Sequence, residues 1–117
     1  MQIPEKDVSS LLDMCEYCKH VMNIVNKTKY YYFAKNKEKQ MAVERGIMII
    51  GEASNRLSNE TKNTLTDIPW TEIKGMRNKI VHDYGDIKIE RIWKTAKIYV
   101  PNLLNQLLAI EEVKKYL

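Results

Sequence analysis

Cysteine is scarce in this chain. Two cysteines occur in 117 residues, so a zinc site with a second cysteine pair downstream is excluded. Cys15 and Cys18, with His20 close behind, begin like a metal or redox motif. Both cysteines nevertheless fall on an apolar helical seam, where cysteine serves as a small apolar filler. His20 reads most simply as a surface residue. Glycine is almost as rare: four residues, at 46, 51, 75 and 85, match neither glycine-rich nucleotide-binding spacing. No run of about 18 apolar residues exists, so no membrane span is expected. Met1 to Asp7 are polar and mixed in charge, without the apolar stretch of a secretory signal, and the expected location is the cytoplasm. No Gly/Ser linker, repeat or low-complexity tract divides the chain, and residues 1–117 are read as a single domain. No pair of acidic residues stands out as a metal site, and neither metal nor cofactor is expected. An excess of one charge is also modest. Lys and Arg number 19 against 15 Asp and Glu, a formal net charge of +4, which favours an anionic partner only weakly.

What is present is helical periodicity. Val8, Leu11, Cys15, Cys18, Met22 and Val25 recur at three and four, predicting a helix over about 4–26. Asn26-Lys27-Thr28-Lys29 breaks the pattern as a turn. Tyr30-Tyr31-Tyr32-Phe33 follows, and one straight helix cannot bury all four rings. Some must meet a partner, a second chain or water. Beside Lys27, Lys29, Lys35 and Lys37 they read either as packing anchors or as a stacking platform for bases. Val43, Ile47, Ile50, Ser54 and Leu57 predict a second long helix over about 36–57. On it Gly46, Ile50, Ala53 and Leu57 share a face that admits a close neighbour. Residues 58–68 are rich in Ser, Asn and Thr and read as a connection with at most one turn of structure. Pro69 suits the first position of a third helix. Trp70, Ile73, Met76, Arg77, Ile80 and Tyr84 lie along its stripe, and Gly85 is its stop. A last helix from near Ile87 carries apolar residues to Val113, with a kink expected at Pro101. The fold class is all-α, an antiparallel bundle of four to five helices.

The chemistry concentrates in Arg77-Asn78-Lys79-Ile80-Val81-His82-Asp83-Tyr84. At about 100° per residue, Arg77 and Tyr84 share a face, and Asn78 and His82 stack within hydrogen-bonding reach. Arg77 and His82 are about 140° apart, so one straight helix does not bring them together. Either the helix loosens near His82, or two copies face each other across a two-fold axis. Such a group suits phosphodiester cleavage in RNA. Imidazole titrates near neutrality and can take the proton from a ribose 2′-hydroxyl or return one to the leaving 5′-oxygen. A guanidinium grips the phosphate and steadies transition-state charge. An internal 2′-hydroxyl nucleophile needs no metal. The alternative is structural: Arg77 pairs with Asp83 or Asp86, and His82 sits at the helix C-terminus, where a cation is welcome.

The stretch Ile68-Pro69-Trp70-Thr71-Glu72-Ile73-Lys74-Gly75-Met76-Arg77-Asn78-Lys79-Ile80-Val81-His82-Asp83-Tyr84 resembles the signature of the HepT-like toxins of the HEPN superfamily. Ile49-Ile50-Gly51-Glu52-Ala53, Ile92-Trp93 and Pro101-Asn102-Leu103-Leu104 fit the same resemblance. It implies an all-α, HEPN-like homodimer with Arg and His of both copies lining a shared cleft. It implies a metal-independent RNA endonuclease of a type VII toxin–antitoxin pair. In such pairs the antitoxin is a minimal nucleotidyltransferase, MntA, which transfers AMP from ATP to the motif tyrosine. Carried over, Arg77 and His82 are catalytic, Asn78 supports them and Tyr84 is the AMPylation site. RNA and an MntA-like protein are then the expected partners. The competing expectation is a non-catalytic nucleotide-binding or interaction subunit of a nucleotidyltransferase complex.

Overall fold

The computed structural model describes residues 2–83 and 85–117. The described residues form helices without a β-strand. Three long helices, α1 (Glu5–Asn26), α3 (Lys37–Asn55) and α5 (Trp70–His82), are followed by a rod of α6 (Ile89–Lys94), a π-helical turn (Thr95–Tyr99) and α7 (Val100–Leu108). Short helices α2 (Tyr30–Phe33), α4 (Asn59–Thr64) and α8 (Glu111–Lys114) fill the connections. The neighbours run up, down, up, down. Arg56 after α3 reaches Asp13 in the first half of α1, 3.1 Å away. Lys97 of the π turn reaches Asn26 at the end of α1, at 3.4 Å. Gln106 of α7 donates to the Asp67 carbonyl just before α5, at 2.7 Å.

The expected seam of α1 is the centre of the core, except that Met22 is only partly buried and Met14 and Val21 take its place. Leu11, Met14, Cys15, Cys18, Val21 and Val25 are buried against Val43, Ile47, Ile50 and Ala53 of α3 and Leu103, Leu104 and Leu107 of α7. Gly46 lets α1 and α3 close together, because a β-carbon there would lie 2.5 Å from Val21 Cγ2. Asn36 caps α3, its Oδ1 accepting from Lys39 N at 2.9 Å.

Two expectations need correction. First, the connection after α3 holds more than one turn: α4 spans six residues. Ser58 caps it by accepting from Thr61 N at 3.2 Å, and buried Asp7 of α1 locks the cap. Asp7 Oδ2 accepts from Ser58 Oγ at 2.7 Å and Thr61 Oγ1 at 2.6 Å. Second, the last helix is not one continuous α-helix: its disturbance at Pro101 takes the form of a π-helical turn. Pro101 lacks the N–H that the Lys97 carbonyl would take, and the chain answers with a wider turn just before it. There Val100 N–H reaches back five residues to Thr95 O. Ile92, Ala96 and Val100 recur every four residues, a spacing that drifts about 40° per step on an α-helix but less on a wider turn. The chain then breaks after Leu108, and α8 is separate. The four aromatics divide as expected, since one helix does not bury them all: Phe33 is fully buried, Tyr30 is half-buried, and Tyr31 and Tyr32 stand exposed.

Candidate functional site

Helix α5 carries Arg77, Asn78 and His82. Its start is pinned by Pro69 and by Trp70 Nε1, which donates to the Leu65 carbonyl at 3.0 Å. Met76 and Ile80 face the core and hold the helix on α3. Its end is set by Asp83, whose N–H returns to Lys79 O at 2.8 Å, and by Gly85 at φ 90°, a conformation that favours glycine.

Arg77 is half-buried and leaves α5 directly over Gly51 of α3. A β-carbon at Gly51 would collide with Arg77 Cβ and Cγ. The absent side chain on α3 therefore makes the berth for the stem of Arg77. The guanidinium is steadied from its own helix: Arg77 Nη1 donates to Asn78 Oδ1 at 3.1 Å. Arg77 Nε is buried and has no hydrogen-bond partner among the described residues. The structural alternative for this arginine is not realised there, since neither Asp83 nor Asp86 forms an ion pair with it among the described residues.

His82 is the last residue of α5 and is exposed. Asn78 and His82, which the spacing brings within reach, form no hydrogen bond with each other; the Asn78 carbonyl accepts from Arg77 Nη1 instead. The helix stays regular through His82, so Arg77 and His82 remain about 140° apart around its axis. Of the two geometries the sequence left open, loosening of α5 before His82 does not occur. The motif tyrosine, Tyr84, lies outside the described residues.

The other expected features fall where the seam put them. Cys15 and Cys18 are buried free thiols. Burial, and then the neighbouring Cys15, pushes the Cys18 thiol up to about 12, so it stays protonated and unreactive at neutral pH. His20 is exposed, 5.4 Å from the Tyr17 ring centroid to centroid. No described helix is long and apolar enough to cross a membrane.

Sequence reasoning missed the seat made by Gly51. Two glycines five residues apart on one helix were a signal, since that spacing places them on different flanks. It also missed an open groove of about 1150 Å³ between α5 and the α6–α7 rod. Ile73, Met76 and Lys79 form one wall, and Arg91, Lys94 and Tyr99 form the other.

Against this geometry, comparison with known proteins is informative. The model of the family described as "Ribonuclease HepT-like" matches residues 14–110. "Putative RNase MJ1216" of Methanocaldococcus jannaschii is 31% identical over 102 residues, covering 86% of this chain and 84% of that protein. "Probable ribonuclease HepT" of Thermococcus cleftensis is 34% identical, covering 80% of this chain and 84% of its own length. "Putative RNase TTE0752" of Caldanaerobacter subterraneus subsp. tengcongensis is 30% identical, covering 98% of this chain and all of the other. No solved structure gives a significant match.

Proposed function

The chain belongs to the HepT-like ribonuclease family, and from that premise we propose that it is a metal-independent RNA endonuclease whose cleft forms between two copies. The observation that carries the reading is Arg77. It is a half-buried guanidinium with no carboxylate partner among the described residues and with one buried donor unused there. Such a cation is costly to keep unless an anion visits it, and an RNA phosphate is an anion of the right geometry.

The reaction uses the ribose 2′-hydroxyl as nucleophile. The His82 imidazole of one copy takes its proton as the 2′-oxygen bonds to phosphorus. The P–O5′ bond then breaks, and the imidazolium of the second copy supplies the proton to the leaving oxygen. The products are a 2′,3′-cyclic phosphate and a 5′-hydroxyl end. Arg77 holds the phosphate oxygens and stabilises the charge that gathers on them, while Asn78 fixes the guanidinium plane. Two copies are needed because one α5 points Arg77 and His82 about 140° apart. The surface of α5 around His82 favours a two-fold pairing: Gly75, seven residues earlier, is exposed with open space around it, and Val81 is an exposed apolar neighbour.

In this reading the protein is the toxin of a toxin–antitoxin pair. An MntA-like nucleotidyltransferase silences it by transferring AMP from ATP to Tyr84, releasing pyrophosphate. Tyr84 follows Arg77 by seven residues in the sequence, and a phosphate carried on it competes with RNA for the same cation. Expression without the antitoxin tests the whole. Wild type should arrest growth, and Arg77→Ala and His82→Ala should each restore it. Purified wild type should cut RNA in EDTA. Three cultures that grow alike, together with retained binding of a nucleotide at Arg77, would instead favour a non-catalytic nucleotide-binding subunit.

A further inference from the structure

We propose that the exposed tyrosine pair of α2, Tyr31 and Tyr32, with the lysines around it, is a binding site for single-stranded RNA outside the cleavage motif. The inference rests on the ribonuclease reading for its place in catalysis, but not for the binding itself.

Tyr31 and Tyr32 are 63% and 62% exposed. Their ring centroids are 5.3 Å apart at an interplanar angle of 85°. Lys35 Nζ lies 4.1 Å from the Tyr31 ring centroid and donates to its hydroxyl at 2.7 Å, which holds that ring in place. The platform beneath them is rigid. Phe33 is fully buried and meets Trp93 at 5.0 Å between centroids, and Tyr30 meets the same indole at 5.7 Å. Gln40 Nε2 ties the Phe33 carbonyl to α3 at 2.9 Å. The two exposed rings therefore do not serve the core, which Phe33 and Tyr30 already anchor.

The charge around them is mostly positive, although Glu90 hydrogen-bonds to the neighbouring Tyr30. From Asn26 to Lys39 the chain carries Lys27, Lys29, Lys35, Lys37 and Lys39 against Glu38 alone. Lys97 joins them through its 3.4 Å bond to Asn26. Exposed aromatic faces among lysines are what a flexible, unpaired strand uses: bases stack, and ammonium groups follow the phosphates. A duplex offers no free base faces and is read by shape instead.

The location links the patch to the motif. Arg77 sits over Gly51, and α5 runs antiparallel to α3, so His82 comes level with about residue 46 of α3. The platform directly precedes Lys37, about nine residues or 14 Å further along the same axis at 1.5 Å per residue. At about 3.4 Å per stacked nucleotide, roughly four nucleotides bridge that height.

The test separates binding from cleavage by using the full chain with His82→Ala, which keeps RNA intact. Fluorescence anisotropy with a labelled 12-nucleotide unpaired RNA should show Tyr31→Ala/Tyr32→Ala weakening affinity about ten-fold or more. Affinity for a duplex of the same length should change little. Tyr31→Phe/Tyr32→Phe, which keeps the faces, should bind nearly as wild type. In the cleaving protein, Tyr31→Ala/Tyr32→Ala should raise KM for that RNA and leave kcat near its starting value. It should leave a dinucleotide, too short to reach α2, cut at the same rate. Unchanged affinity and KM would overturn the proposal, as would a change of assembly state by light scattering without loss of RNA affinity, which would make the patch a protein-packing surface. Were wild type to cut no RNA while anisotropy still depended on the tyrosines, the ribonuclease reading would fail and this site would stand.

Discussion

Arg77 is held from two directions, by Asn78 along its own helix and by a missing methyl group on the next. The second hold makes a sharp prediction. Gly51→Ala puts a β-carbon into the stem of Arg77, and backbone on both sides leaves the helices to separate or the arginine to swing out. The expected outcome is a loss of about 1–3 kcal/mol in urea unfolding, with a fall in RNA cleavage larger than that destabilisation explains, because the guanidinium moves off the phosphate. Gly75→Ala is the control: its β-carbon meets nothing within 4 Å in the single chain, and it should be neutral or slightly stabilising in the monomer. The sequence shows Gly51 within the second long helix but not what it faces. Its partner lies 26 positions away on another element, and no local rule joins the two.

At the scale of elements, the weak point is the joint between α1 and α4. Burial pushes the Asp7 carboxyl up, but the hydrogen bonds from Thr61 and from the side chain and backbone of Ser58, helped by Lys6, outweigh it and hold the group below the usual carboxylate range. A carboxyl lowered on folding contributes stability that is complete above about pH 4, the unfolded value, and is lost as pH falls through the lower folded one. Asp7→Asn should thus cost about 1–3 kcal/mol at pH 7. The gap between the two proteins in urea midpoint should narrow as the buffer is taken below pH 4. The long helices themselves were legible, because spacing by three and four along α1, α3 and α5 reports the buried face directly. The short ones were not. Helix α4 exists because Asp7, some fifty residues earlier, secures its cap, and polar residues 58–64 carry no apolar stripe of their own. The π turn was half legible. Pro101 announced a disturbance, but whether the chain kinks or widens depends on keeping Ile92, Ala96 and Val100 against α1.

For the whole molecule, the motif was visible in the sequence as an Arg–His pair that one straight helix cannot aim at one point, and α5 is indeed straight through His82. A cleft built from two copies makes a complementation prediction. Arg77→Ala and His82→Ala should each lose about 10²–10³-fold in cleavage alone. Mixed and allowed to exchange, they should regain part of the activity, because a heterodimer sets one arginine opposite one histidine across the two-fold axis, while water must take the proton-transfer role of the missing second histidine. Continued inactivity in a mixture shown to contain heterodimers would remove the shared cleft. Recovered activity should also decline with added salt, because releasing counterions from RNA phosphates into a more concentrated solution gains less free energy.

The backbone N–H of Ile3 donates to Glu112 Oε2 at 3.1 Å, and that bond from an amide holds the carboxyl below its ordinary value. The bundle is thus a loop in all but covalent continuity. A rearranged gene that joins residue 117 to residue 2 through a short flexible insert, and starts instead at Thr66 on the end remote from His82, should yield a protein that folds and cuts as before. Tension applied across residues 3 and 112 would meet this latch, and the burial of Ile3 beside it, before any helix had to slide.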